Sequence, residues 1–173
     1  MEQLKLVRPS NMHKAEYESM MDEWESYGGR LNPGALRRYS NQRQKNVSYE
    51  EWLGWVEEDR QAGQDLYFLM KGNRILGGIS IRFMKTARDI GTDGHSGYGI
   101  RPSERRKGYA SAMLALALPL MKEYGIDPVV ISCDKDNIGS AKTIMKNGGR
   151  LMEEVVEADT GKVVQIYHID LRK

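Results

Sequence analysis

The chain of 173 residues contains a single cysteine, Cys133, so it cannot form an internal disulfide. Its 26 lysine and arginine residues nearly balance its 24 aspartate and glutamate residues, which gives a formal net charge of +2 at pH 7. This balance argues against a nucleic-acid or membrane-surface protein. The longest apolar run, residues 110–121, is shorter than the ~20 residues that span a bilayer. Since no charged and then apolar leader opens the sequence, we expect a cytoplasmic protein.

The sequence shows no internal repeat and no low-complexity segment, which predicts a single domain over residues 1–173. Hydrophobic periodicity predicts one strand, two helices, three strands, a helix, a strand, a helix and two strands. Residues 28–38, between the first two helices, are predicted to be a loop. The strand, helix and strand of residues 95–133 predict a parallel pair, whereas the flanking hairpins are antiparallel. The expected class is therefore α/β of the α+β type, with a mixed, mostly antiparallel sheet.

A turn rich in glycine and cations joins the predicted fourth strand to the next helix. The spacing Arg105-x-x-Gly108-x-Ala110 leaves little side-chain bulk there, so backbone N–H groups at the helix start can surround a phosphate or pyrophosphate. The helix dipole adds to this attraction. A solvated basic turn is the alternative, and the glycine spacing disfavours it. The cations that could contact phosphate oxygens are Arg101, Arg105, Arg106 and Lys107.

This motif and the order of elements resemble the GNAT superfamily of acetyl-coenzyme A-dependent N-acetyltransferases. The family's signature is Arg/Gln-x-x-Gly-x-Gly/Ala at the start of the helix after the fourth strand. The similarity continues through residues 134–141 and 147–149 and covers residues 80–172. It implies that the parallel fourth and fifth strands splay around the cofactor, with helices on both faces of the sheet.

The resemblance also implies where acetyl-CoA, the cosubstrate, would bind. In the family, the signature N–H groups bind the pyrophosphate, and the pantetheine arm inserts at a bulge between the fourth and fifth strands. An Asn at the start of the following helix contacts the arm. No metal is expected, since the three histidines and one cysteine lack the spacing of metal ligands. The implied cofactor residues are Tyr98, Ile100, Arg105, Arg106, Lys107, Gly108, Tyr109, Ala110, Asn137 and Ser140.

One position departs from the family pattern. Many members have a Tyr seven residues after that Asn, placed to protonate the departing thiolate, and this chain has Ile144. The thiolate could leave unassisted, take a proton from water or use another group. The departure also leaves open a second function, a non-catalytic acyl-CoA-binding or sensor module of the same fold.

Two histidines are candidates for the base that deprotonates the acceptor amine. His95 is the first, because it lies at the start of the fourth strand just before the expected bulge, and a free imidazole has a pKa near ~6.5. His168 on the last strand is the second. The alternative is that His95 only bonds a loop carbonyl. A backbone N–H near residues 98–100, freed by the bulge, would stabilise the oxyanion.

The function implied is direct transfer of an acetyl group from acetyl-CoA to a primary amine of a small molecule or peptide. Nucleic acid and membrane are not expected as partners, and a homodimer is left open. In this family the first two helices and their loop shape the acceptor site. Trp55 could line that site. An acidic face on the second helix could attract a cationic amine or be an ordinary solvated surface; it consists of Glu50, Glu51, Glu57, Glu58 and Asp59.

Overall fold

The predicted order of strands and helices is present, with one additional helix. The structure is a computed structural model, and it describes residues 2–43 and 46–172. Across these residues, no helix combines the length and apolar character needed to cross a bilayer. The elements are β1 (Leu4–Val7), α1 (Lys14–Tyr27), α2 (Gly34–Arg43), α3 (Tyr49–Gln61), β2 (Gln64–Lys71), β3 (Arg74–Arg82), β4 (Ser96–Ile100), α4 (Tyr109–Glu123), β5 (Val129–Asp134), α5 (Ile138–Lys146), β6 (Arg150–Val156) and β7 (Val163–Ile169).

The strands form two antiparallel sheets, in the orders β1-β2-β3-β4 and β5-β7-β6. The sheets meet where β4 and β5 begin, and there the His95 N–H donates to the Val130 carbonyl at 2.6 Å. Beyond that contact, no ladder joins β4 to β5 within the described part of the chain. The α+β class with a mostly antiparallel sheet is therefore confirmed. The expected parallel contact of β4 with β5 is limited to its first residues.

The apolar stripes predicted for the helices form the core. Helix α4 buries Met113, Leu114, Ala117 and Met121 between the two sheets, while Ala110 from the same stripe is only half-buried at the helix start. Helix α1 buries its stripe in a second cluster, where the ring centroids of Tyr17 and Trp52 lie 4.5 Å apart. Ser48 caps the start of α3, because its hydroxyl accepts from the Glu51 N–H at 3.1 Å.

The predicted loop over residues 28–38 is wrong from Gly34 onward, where α2 begins. The Pro33 carbonyl accepts from the Leu36 N–H at 3.0 Å at the start of this helix. Ala35, Leu36 and Tyr39 are buried in the α1 cluster. These few apolar residues stand among Arg, Ser, Asn and Gln, so the segment lacks the apolar period that identifies a helix. Tertiary burial of one face stabilises the helix instead.

Candidate active site

A cleft of about 470 Å³ opens between β4 and the first turns of α4 and α5. It lies where the two sheets separate. Of the cofactor residues inferred from the sequence, Lys107 alone does not line this cleft. The lining residues come from three stretches that are separated in sequence, at 24–32, 98–111 and 137–143.

Strand β4 presents an open edge to this cleft. The Arg82 N–H donates to the His95 carbonyl at 2.7 Å, and the Arg101 N–H donates to the Leu76 carbonyl at 2.9 Å. The odd-numbered residues therefore pair with β3. Because backbone groups alternate along a strand, Tyr98 and Ile100 direct their N–H and C=O groups to the opposite edge. This edge offers hydrogen bonds to an extended ligand.

The expected bulge in β4 is wrong. The β3–β4 ladder keeps one register from Ser96 to Ile100 in the described structure. Open backbone N–H groups are present for a different reason, which is that β4 is the last strand of its sheet.

The start of α4 forms the second part of the site. Gly108 precedes the helix with a φ of +82°, a left-handed conformation that glycine adopts without strain. The Ala112 N–H donates to the Gly108 carbonyl at 3.1 Å, so the N–H groups of residues 109–111 have no acceptor within the helix. Together with the helix dipole, these donors favour an anion.

The cations of the motif have different surroundings. The Arg105 guanidinium lies over the rings of Trp24 and Tyr27, at 5.4 and 5.1 Å, and its Nε donates to the Ile100 carbonyl at 2.9 Å. Arg106 lines the cleft, and no described residue is within hydrogen-bond or ion-pair distance of its side chain. Lys107 instead pairs with Glu104 at 3.0 Å.

Arg101 is not a phosphate ligand, contrary to the expectation from sequence. Its side chain is 2% exposed and pairs with Glu16 at 2.8 Å and Glu23 at 3.2 Å, and it also donates to the Ile75 carbonyl at 3.0 Å. These contacts tie α1 to β3 and β4. Arg101 therefore holds the walls of the cleft together from inside the protein.

Helix α5 closes the cleft opposite β4. Asn137 caps this helix, because its Oδ1 accepts from the Ser140 N–H at 3.1 Å. The Ser140 hydroxyl lies 3.0 Å from the hydroxyl of Tyr98. Burial raises the pKa of Tyr98 to about 12, against the opposing effect of the Ser140 hydrogen bond. The Tyr98 hydroxyl is therefore a protonated donor at neutral pH.

Ile144 contributes no group to the cleft. It is fully buried in the core, and a Cβ added to Gly149 would come within 2.4 Å of its Cγ2. Thr143, one residue earlier, lines the cleft instead. A phenol does contact α5 from the opposite wall, that of Tyr98.

His95 is not positioned as a base, which corrects the first assignment from sequence. The side chain is 1% exposed, its Nε2 lies 2.8 Å from the Lys85 carbonyl, and its Nδ1 accepts from the Val130 N–H at 2.9 Å. Burial lowers the pKa of His95, so the neutral ring is the stable form. Both ring nitrogens are occupied, and His95 borders a separate cavity of about 170 Å³. The alternative role, bonding a loop carbonyl, is confirmed.

His168 does not reach the cleft either. It lies on β7, opposite Val130 of β5 and Arg150 of β6, and it does not line the cleft. The second candidate for the base is thus also corrected.

The acidic face of α3 lies outside the cleft. Glu50 pairs with Lys14 at 3.1 Å, and Asp59 pairs with Arg38 at 3.2 Å. The Arg38 guanidinium lies 5.0 Å from the centre of the Trp55 ring. Neither the carboxylates nor Trp55 line the cleft. The structure therefore favours a solvated face over an amine-binding surface.

The wall that sequence reasoning did not resolve comes from α1 and the segment after it. Trp24, Arg30 and Asn32 line the cleft. Gly99 allows this close approach, since a Cβ there would lie 2.5 Å from the Asn32 carbonyl oxygen. The family resemblance implies an acceptor site in this region, but no motif identified these residues.

Comparison with known proteins gives one family and many similar folds. A family model described as an acetyltransferase (GNAT) domain matches residues 7–150. No curated protein sequence matches the chain at a significant level.

Three solved structures illustrate the likeness in fold. The microcin C7 self-immunity acetyltransferase MccE, in complex with acetyl-CoA and AMP, is 17% identical with a TM-score of 0.69 and covers 99% of this chain and 94% of its own. The Salmonella typhimurium acetyltransferase that modifies the N-terminal serine of ribosomal protein L7/L12 is 17% identical with a TM-score of 0.68, and the match covers 97% of this chain and 95% of that one. A chimera of spermidine N-acetyltransferase SpeG from Vibrio cholerae and hSSAT is 12% identical with a TM-score of 0.67, and the match covers 97% of this chain and 95% of that one.

Proposed function

The chain belongs to the GNAT acetyltransferase family, and from this we propose that it transfers the acetyl group of acetyl-CoA directly to a primary amine of a small molecule or peptide. The single observation that carries the proposal is the meeting of three segments around one cleft. These are the open edge of β4, the unpaired N–H groups of α4 and the start of α5. Each offers a contact to a different part of acetyl-CoA.

The donors of the cleft match the parts of acetyl-CoA in order. The N–H groups of residues 109–111 and the Arg106 guanidinium would bind the pyrophosphate. The outward N–H groups of Tyr98 and Ile100 and the Tyr98 carbonyl would pair with the amides of the pantetheine arm, while the Ile100 carbonyl stays bonded to Arg105. Asn137 and Ser140 would contact the arm from the other side.

The same residues supply electrostatic help to the reaction. Transfer forms a C–N bond and breaks the C–S bond of the thioester. An outward N–H of β4 would stabilise the negative charge that develops on the thioester oxygen. The Tyr98 hydroxyl would donate a hydrogen bond to the leaving sulfur, which takes the place of the Tyr that Ile144 replaces. Because its pKa is about 12, Tyr98 stabilises the thiolate by this bond and keeps its own proton.

The amine loses its proton to water in this proposal. Neither histidine candidate reaches the cleft, and Glu104 is the one carboxylate among its described lining residues. Burial would raise the pKa of Glu104, but hydrogen bonds from Lys107 and Arg74 outweigh it and hold the pKa below the ordinary value. The rate should therefore follow the fraction of the acceptor amine that is unprotonated. The pH–rate profile should rise with an apparent pKa near ~8 for an α-amine and near ~10.4 for a lysine amine.

A panel of amines tests the proposal. Steady release of the free thiol of coenzyme A with at least one amine, above the rate without amine, is the expected result. Binding of acetyl-CoA without release for any amine would support the non-catalytic acyl-CoA-binding module instead. We also propose a single domain over residues 1–173 and a cytoplasmic location, with no nucleic-acid or membrane partner.

A further inference from the structure

The acceptor side of the cleft carries a cation that no part of the described chain neutralises. Arg30 is exposed, lines the cleft, and makes no hydrogen bond or ion pair with the residues at 2–43 and 46–172. Arg37 lies close by and donates to the Leu31 carbonyl at 3.2 Å and to the Asn32 Oδ1 at 3.4 Å. Burial and, to a smaller extent, the charge of Arg30 lower the pKa of Arg37. The segment that would face the acceptor is thus positively charged.

The carboxylates around this region are already paired. Glu104 accepts from Arg74 at 2.9 Å and from Lys107 at 3.0 Å. On α1, Glu23 accepts from the Ser103 N–H at 2.9 Å and pairs with the buried Arg101. A second ammonium group on an acceptor would therefore meet no available carboxylate among the described residues that line the cleft.

The other cations of the cleft have assigned roles. Arg105 is held by two aromatic rings and the Ile100 carbonyl, and Arg106 lies beside the α4 N–H groups that would take the pyrophosphate. Arg30 comes instead from the segment after α1, two residues before Asn32, whose carbonyl oxygen approaches Gly99 of β4. Among the described arginines that line the cleft, Arg30 is the one assigned neither to the pyrophosphate site nor to the packing of the wall.

We propose that the acceptor carries an anionic group, a carboxylate or a phosphate, a few bonds from its reactive amine, and that Arg30 binds this anion. The inference rests on the proposed acetyl transfer and deepens it. A planar guanidinium can form two parallel hydrogen bonds to either anion. Polyamines carry further ammonium groups that would need carboxylate partners, so the positive charges of Arg30 and Arg37 disfavour them as acceptors.

Matched acceptors give the test. The peptide amides Ala-Asp-Asp and Ala-Asn-Asn differ only in charge, 2-aminoethyl phosphate and ethanolamine separate phosphate from carboxylate recognition, and spermidine represents the polyamines. We expect kcat/KM to be at least ~10-fold higher for the anionic member of a pair than for its neutral partner. Arg30→Ala should remove that preference by raising KM, and Arg30→Glu should reverse it.

Two controls separate this inference from the proposed function. Arg150→Ala removes an exposed arginine on β6, away from the cleft, and should leave the preference unchanged. Calorimetry of the same peptides with the protein saturated by coenzyme A measures the anion preference even if no amine is acetylated. A preference for spermidine or equal binding of the two peptides would overturn the inference. The inference would also be overturned if Arg30→Ala weakened the binding of acetyl-CoA and not that of the anionic acceptor, since Arg30 would then be a cofactor contact.

Discussion

Replacement of Gly108 by glutamate tests the position of the pyrophosphate. Gly108 has a φ of +82° and directly precedes the unpaired N–H groups of α4. A Cβ added there meets no atom within 4 Å, so the folded chain has room for the side chain. The cost to folding is mainly the left-handed backbone, about 1–2 kcal/mol for a residue with a Cβ.

The variant should also weaken the binding of acetyl-CoA, because the new carboxylate stands beside the phosphate site. At a separation of about 5 Å, two unit charges repel by about 3.3 kcal/mol at an effective dielectric constant of about 20, and by about 0.8 kcal/mol at about 80. The cleft is partly enclosed, so a value between these limits is appropriate. We expect the Kd of acetyl-CoA to rise at least ~10-fold, which is ~1.4 kcal/mol.

Titration calorimetry measures this change, and Gly161→Glu is the matched control. Gly161 has a φ of +71°, also meets no atom within 4 Å, and lies in the turn between β6 and β7. Both variants should lose similar stability, with melting temperatures lower by about 2–4 °C for each kcal/mol. Only Gly108→Glu should weaken the binding of acetyl-CoA. A folded Gly108→Glu protein with unchanged affinity would refute the placement of the pyrophosphate at the start of α4.

Three further predictions concern single side chains. Tyr98→Phe should lower kcat at least ~10-fold while the Kd of acetyl-CoA stays within about threefold, because it removes a donor to the leaving sulfur. Tyr167→Phe, which removes a hydroxyl that donates to Gln165, should leave kcat unchanged. His95→Ala should cost about 1–3 kcal/mol of stability for each polar group left unpaired, yet preserve kcat at a temperature where the variant is folded. Burial lowers the pKa of folded His95 below 6.5, so the unfolded chain binds more protons than the folded chain. The free energy of unfolding should therefore fall as the pH drops below about 6.5, by up to ~1.4 kcal/mol per pH unit. Urea unfolding at several pH values should show a weaker dependence of stability on pH in His95→Ala.

Local patterns predicted the parts of the site that depend on backbone. The glycine spacing and the apolar period located the start of α4, and the family pattern put Asn137 at the start of α5. Both signals arise within a few residues of the feature they predict. Most of the fold and the cofactor side of the cleft followed from such signals and from the family resemblance.

Long-range partners account for what sequence reasoning got wrong. Arg101 looked like a phosphate ligand, but its carboxylate partners Glu16 and Glu23 lie 85 and 78 residues away. His95 was a candidate base from its position on the strand, but its ring accepts from the Val130 N–H, 35 residues away. No local pattern states such pairings, which appear only once the sheets and helices are assembled.

A crystal structure with acetyl-CoA bound would locate every part of the cofactor at once. We expect the pyrophosphate on the N–H groups of residues 109–111 and the pantetheine arm bonded to the outward groups of Tyr98 and Ile100. We also expect the sulfur within hydrogen-bond distance of the Tyr98 hydroxyl. Acetyl-CoA bound outside this cleft, or bound in it with the open edge of β4 unpaired, would show that the proposed cofactor site is wrong.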